Sequence, residues 1–152
     1  MKTKSLQLQQ LNSKMRAFES LRALPAPNGG WLRSVRMSIG MSLEQLGKKL
    51  GVSRQSALAL ERREKEGAIT INTLVNAAKA MDMELVYGFV PKDGTLEALI
   101  DRKANEIARE IVARASQTMV LEDQGNSKER IEQAIAERAK EIKEKNHKLL
   151  WD

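Results

Sequence analysis

The side chains best equipped for selective chemistry stand together at Arg54-Gln55-Ser56. An arginine ends in a planar fork that can grip guanine O6 and N7 with two parallel hydrogen bonds, and a glutamine amide can do the same at adenine N6 and N7. Leu58 and Ala59, a little further on, are apolar enough to meet a thymine methyl. Side chains of these types suit recognition by hydrogen bonding rather than bond-making chemistry. The chain has no Cys and a single His, His147, near its end. Thiolate nucleophiles, disulfides and Cys/His zinc sites are thereby excluded, and no cluster supplies an acid, a base and a nucleophile. Neither a catalytic role, a metal nor a cofactor is expected.

The segment that must position these residues is Ser42-Leu43-Glu44-Gln45-Leu46-Gly47-Lys48-Lys49-Leu50-Gly51-Val52-Ser53 and the residues after it to Glu61. Ser42 with Gln45 three residues on predicts a capping box at the start of one helix, which ends at Leu50-Gly51. Ser53 predicts the cap of a second helix running to about Arg63. Two helices crossing steeply need a small residue where their backbones approach, supplied by Gly47, and a turn position tolerant of positive φ, supplied by Gly51. Leu46, Leu50, Val52, Ala57 and Leu60 fall on the sides that must be buried. The pattern is that of a helix-turn-helix. A short helix from Trp31 to about Ile39 precedes it, and another from Thr70 to Met81 follows the Gly67-Ala68 turn.

Outside this module the pattern changes. Between Leu6 and Leu24 the residues Leu8, Leu11, Met15 and Phe18 recur at helical spacing, and a Pro- and Gly-rich linker follows to Gly30. Glu84-Leu85-Val86-Tyr87-Gly88-Phe89-Val90-Pro91 gathers β-branched and aromatic residues and predicts the one short strand, whose simplest pairing partner is the same strand of a second copy. A long amphipathic helix follows Thr95, with Leu96, Leu99, Ile100, Ile107, Ile111, Val112 and Met119 on its stripe. A final helix after Ser127 carries Ile131, Ile135 and Ile142 among alternating charges, a seam that needs its predecessor or a partner to cover it. The expected organisation is 1–30, an N-terminal helix and linker; 31–92, the helix-turn-helix domain ending in the strand; and 93–152, C-terminal helices for dimer or partner contact. The fold class is mostly α.

The chain has 152 residues and a formal charge of +6. The surplus is roughly +4 over residues 1–30 and roughly +4 over 31–92, against roughly −2 over 93–152. Basicity around the helix-turn-helix suits double-stranded DNA. No apolar run approaches the ~18 residues a membrane span needs, and Met1 to Gln10 is polar, so a cytoplasmic protein without membrane contact is expected.

Residues Trp31 to Leu85 resemble the Xre/Cro family of phage-repressor-like DNA-binding domains. The resemblance implies that the third helix lies in the major groove with Arg54, Gln55, Ser56, Leu58 and Ala59 towards the bases. It also implies that Arg36 and Glu61 form a structural ion pair. Arg62, Arg63, Lys65, Lys48 and Lys49, with the capping serines Ser42 and Ser53, are the expected phosphate contacts. The sequence departs from that family at Leu43, Leu58 and Ala59, where polar residues are usual. Leu21-Arg22-Ala23-Leu24-Pro25 before Gly30-Trp31, Glu84-Leu85-Val86-Tyr87 with Val90-Pro91, and Thr118-Met119-Val120-Leu121-Glu122-Asp123-Gln124 resemble a narrower family of bacterial regulators, mobile mystery protein A. That resemblance implies an autoregulating antitoxin paired with a Fic-domain toxin, and Thr118 with Glu122 resembles the Fic-inhibiting motif except at Asp123. The alternative is a stand-alone phage-type regulator whose C-terminal helices only dimerise.

Overall fold

The computed structural model describes residues 2–121 and 128–152. Within them lie α1 (Lys2–Arg16), α2 (Trp31–Ser38), α3 (Leu43–Leu50), α4 (Arg54–Glu66), α5 (Ile71–Ala80), α6 (Leu96–Leu121) and α7 (Lys128–Lys145), with 3-10 turns at Glu19–Ala23 and His147–Trp151. Two compact units emerge, one of Ser20–Gly88 and one of Met1–Glu19 with Phe89–Asp152.

The Ser20–Gly88 unit is built by its caps and its glycines. The Gln45 N–H donates to Ser42 Oγ at 3.1 Å and the Ser42 N–H to Gln45 Oε1 at 2.8 Å, a complete capping box on α3. The Ser56 N–H donates to Ser53 Oγ at 3.1 Å, and the Thr73 N–H to Thr70 Oγ1 at 3.1 Å, so α4 and α5 start on side-chain caps as well. Gly51 turns the chain in the left-handed conformation, φ 71°. Gly47 is buried against the turn, where a Cβ would stand 2.7 Å from the Val52 carbonyl oxygen. Leu32, Leu46, Ala57, Ala77 and Met81 form the core. Leu43 packs half-buried against it, which gives a core reason for an apolar residue at that place. Val52 departs from expectation: it is 39% exposed, because its N–H reaches back to Gly47 O at 2.8 Å and the turn carries its side chain outward.

In the other unit α6 and α7 run antiparallel, as the ion pairs Lys143–Asp101 at 2.7 Å and Arg109–Glu132 at 3.4 Å show by their opposite order. The expected stripe residues Ile100, Ile107, Ile111 and Val112 are only half-buried around this core. Its deepest α6 residues are Ala104 and Ala108, facing Ile135, Ala139 and Ile142. Small side chains let the two backbones come close, so the longer ones flank the contact rather than fill it. Asn12 of α1 accepts the Leu96 N–H at 3.0 Å and donates to the Glu97 carboxylate, while Thr95 Oγ1 accepts the Ala98 N–H at 3.1 Å. The start of α6 is therefore capped from two sides.

Two expected elements differ. The N-terminal helix ends at Arg16, where the Phe18 N–H bonds Met15 O at 3.0 Å and tightens the last turn, and Leu21 and Leu24 are exposed. The stretch Glu84–Val90 is not a strand, because among the described residues no segment hydrogen-bonds alongside it. A strand exists only in a pair.

Gly47→Ala drives a methyl group into backbone rather than into a side chain that can move. We expect it to destabilise the chain by about 1–3 kcal/mol, read as an earlier urea midpoint with an unchanged slope.

Candidate nucleic-acid interface

Helix α4 has a sharply divided surface. Ala57 and Glu61 are buried, whereas Arg54, Gln55, Ser56, Leu58, Arg62, Arg63 and Lys65 are exposed and Ala59 is half-buried. At 3.6 residues per turn Gln55, Leu58 and Arg62 share the outward stripe. Two planar hydrogen-bonding groups thus stand at the open N-terminal end of the helix, with cations along its second half.

The buried side holds the helix in place. The Arg36 guanidinium donates to the Glu61 carboxylate through Nε and through Nη2, the latter at 3.4 Å, and its Nη1 donates to Met41 O at 2.8 Å. One side chain of α2 therefore binds α4 and the turn into α3 together. Glu64, one turn after Glu61, accepts the Trp31 N–H at 2.7 Å through Oε1. Helix α2 begins at Gly30, which has no side chain to cap it, and the carboxylate of Glu64 supplies the missing acceptor. Gly30 has φ 83°, and any Cβ there would collide with Glu64 Oε2. Glu64 escapes a reading of the sequence alone; its signal is the absence of Ser, Thr, Asp or Asn before Trp31, an N-terminus in need of an acceptor from elsewhere.

Ser42 and Ser53 use their hydroxyls as caps, and exposed Ser56 has its hydroxyl 3.0 Å from Ser53 Oγ. Arg54 is held loosely by Glu44, Nε to Oε1 at 3.7 Å, both side chains largely exposed. Lys48 and Lys49 lie exposed on α3, and neither they nor Arg62, Arg63 and Lys65 have an ion pair among the described residues. Thr118 lies in α6; Glu122 lies outside the described residues. Among the described residues no group of His, Asp and Glu is disposed to hold a metal ion, and no helix is long and apolar enough to cross a membrane.

Residues 32–87 match the family described as Helix-turn-helix. No curated protein matches the chain, and no solved structure does. The match covers α2 to α5 and the residues just beyond, so this part of the chain is a helix-turn-helix domain of the Xre/Cro type. Domains of that kind are DNA-binding modules of transcription regulators.

Removing one partner of the buried pair leaves an uncompensated charge. We expect Arg36→Met to cost about 3–5 kcal/mol of folding stability. Arg36→Met with Glu61→Leu should recover part of that loss in chemical denaturation, because no charge is then stranded.

Proposed function

We propose that this chain is a sequence-specific transcriptional repressor that binds as a homodimer to an operator in its own promoter. The observation that carries this is the pairing of opposite faces on α4: Glu61 and Glu64 lock the inner side, and Arg54 and Gln55 stand exposed at the outer N-terminal end. In this reading Arg54, Gln55 and Ser56 read bases, with Leu58 and Ala59 against thymine methyl groups. Lys48, Lys49, Arg62, Arg63 and Lys65 face phosphates, and the caps at Ser42 and Ser53 present backbone N–H groups beside them.

The finer reading is an autoregulating antitoxin of a Fic-type pair, with residues 93–152 contacting the toxin and Thr118 and Glu122 inhibiting it. What supports it is the resemblance carried by Leu21-Arg22-Ala23-Leu24-Pro25 and by Thr118 to Gln124. Recovery of a Fic-domain protein with tagged chain from the native host is the expected result. A chain recovered alone returns the stand-alone regulator.

For the DNA contacts, Arg54→Ala and Gln55→Ala should each weaken binding to the chain's own upstream fragment by about 1–3 kcal/mol in gel shifts, and relax the preference at one base position. Arg62→Ala or Arg63→Ala should weaken all sequences alike and lower the salt slope by about one. Parent-like binding by both the Arg54 and Gln55 variants overturns the assignment of α4.

A further inference from the structure

The chain has five aromatic side chains, Trp 2, Tyr 1 and Phe 2, and two of them lie within three residues of each other on its surface. Tyr87 is 61% exposed, Phe89 81% and Val86 66%. The backbone around them is equally unsatisfied. The Met83 N–H bonds Ala78 O at 2.8 Å and the Gly94 N–H bonds Pro91 O at 3.1 Å, but among the described residues Glu84–Val90 make no backbone hydrogen bond. Backbone free of helix and turn, without backbone hydrogen bonds and edged by exposed apolar side chains, asks for another strand.

We infer that the occupant is the same segment of a second copy, paired antiparallel with Gly88 opposite Gly88. This inference rests on the reading of the chain as a dimeric regulator and adds the surface and the register. A two-fold axis normal to the ribbon keeps every side chain on its own face, so a residue can only oppose one of the same parity. Among such registers this one sets Glu84 against the partner's Lys92, twice across the axis. Both residues are exposed, and neither has an ion pair among the described residues. Shifting the register by one step sets Glu84 against Val90 instead. The same register opposes Tyr87 to the partner's Phe89, an aromatic pair on each side of the axis, and Val86 to the partner's Val90. Pro91, which has no N–H to give, then falls opposite Leu85 in a non-hydrogen-bonded pair, where none is asked of it.

A two-stranded ribbon is marginal alone. Here it borders a groove of about 480 Å³ whose walls include Trp31, Leu32, Leu74, Met81 and Leu85. The partner's Phe89, diagonal to Leu85 and 81% exposed, extends that apolar surface.

The absence of cysteine makes the register directly readable. Gly88 is not among the positive-φ glycines, so a side chain there is tolerated by the backbone. In the full chain Gly88→Cys should give a covalent dimer on mild oxidation, because facing Cα atoms at ~5.5 Å suit a disulfide, whereas Tyr87→Cys, offset by two residues from its own copy, should crosslink at least tenfold more slowly. By sedimentation Glu84→Lys or Lys92→Glu should weaken the dimer about tenfold, and the two together should restore it. A monomeric parent overturns the pairing. A dimer that crosslinks through Tyr87→Cys instead, or that ignores both charge reversals, overturns the register. Gel shifts with Arg54→Ala report on base reading separately, so a monomer that still selects its operator sinks this inference and leaves the DNA reading standing.

Discussion

The helix-turn-helix unit depends on one buried guanidinium. Arg36 spends its donors on two targets: the Glu61 carboxylate in α4 and the Met41 carbonyl in the turn that leads to α3. The planar fork fixes both directions at once, which a lysine ammonium cannot do. With α2, α3 and α4 pinned to a single group, the roll of α4 about its own axis is determined, and with it the side that Arg54 and Gln55 present. Glu64 repeats the device one turn later, taking the Trp31 N–H and fastening the other end of α2.

The consequence is a helix with two polar faces of opposite sign. Its inner acids answer α2, and its outer cations, Arg62, Arg63 and Lys65, are left for an external anion. This separation leaves the helix suited to a polyanion although its own acids nearly balance its cations. In the second unit cohesion has a different source. Alanines at 104, 108 and 139 allow α6 and α7 to approach closely, and charge pairs along the rims, such as Lys143 with Asp101, fix their register.

Much of the reading unit was legible because its rules are local. Ser42 with Gln45, Ser53 three residues before Ser56, and Gly51 at the turn each announce themselves within one helical turn. What stayed hidden involves partners distant in the chain. Glu64 capping α2, Asn12 capping α6 and the alanine seam of α6 are fixed by packing, and an alanine carries no periodic signal until the helix it touches is known. Val52 was misplaced because apolarity alone cannot tell the inside of a turn from its outside. The stretch from Glu84 to Val90 has strand composition without strand structure, since composition describes a preference and pairing requires a second backbone. The residues proposed to face DNA follow from side-chain chemistry, and Arg54, Gln55 and Leu58 are exposed on α4.

The helices α2 to α5 follow one another along the chain, and the Arg36–Glu61 bond closes a separation of only 25 residues. Closure of short loops carries little entropy cost, and helical domains dominated by near neighbours fold within microseconds to milliseconds. The domain is thus assembled almost as soon as its residues are available. Folding of this domain therefore adds no appreciable delay to its synthesis.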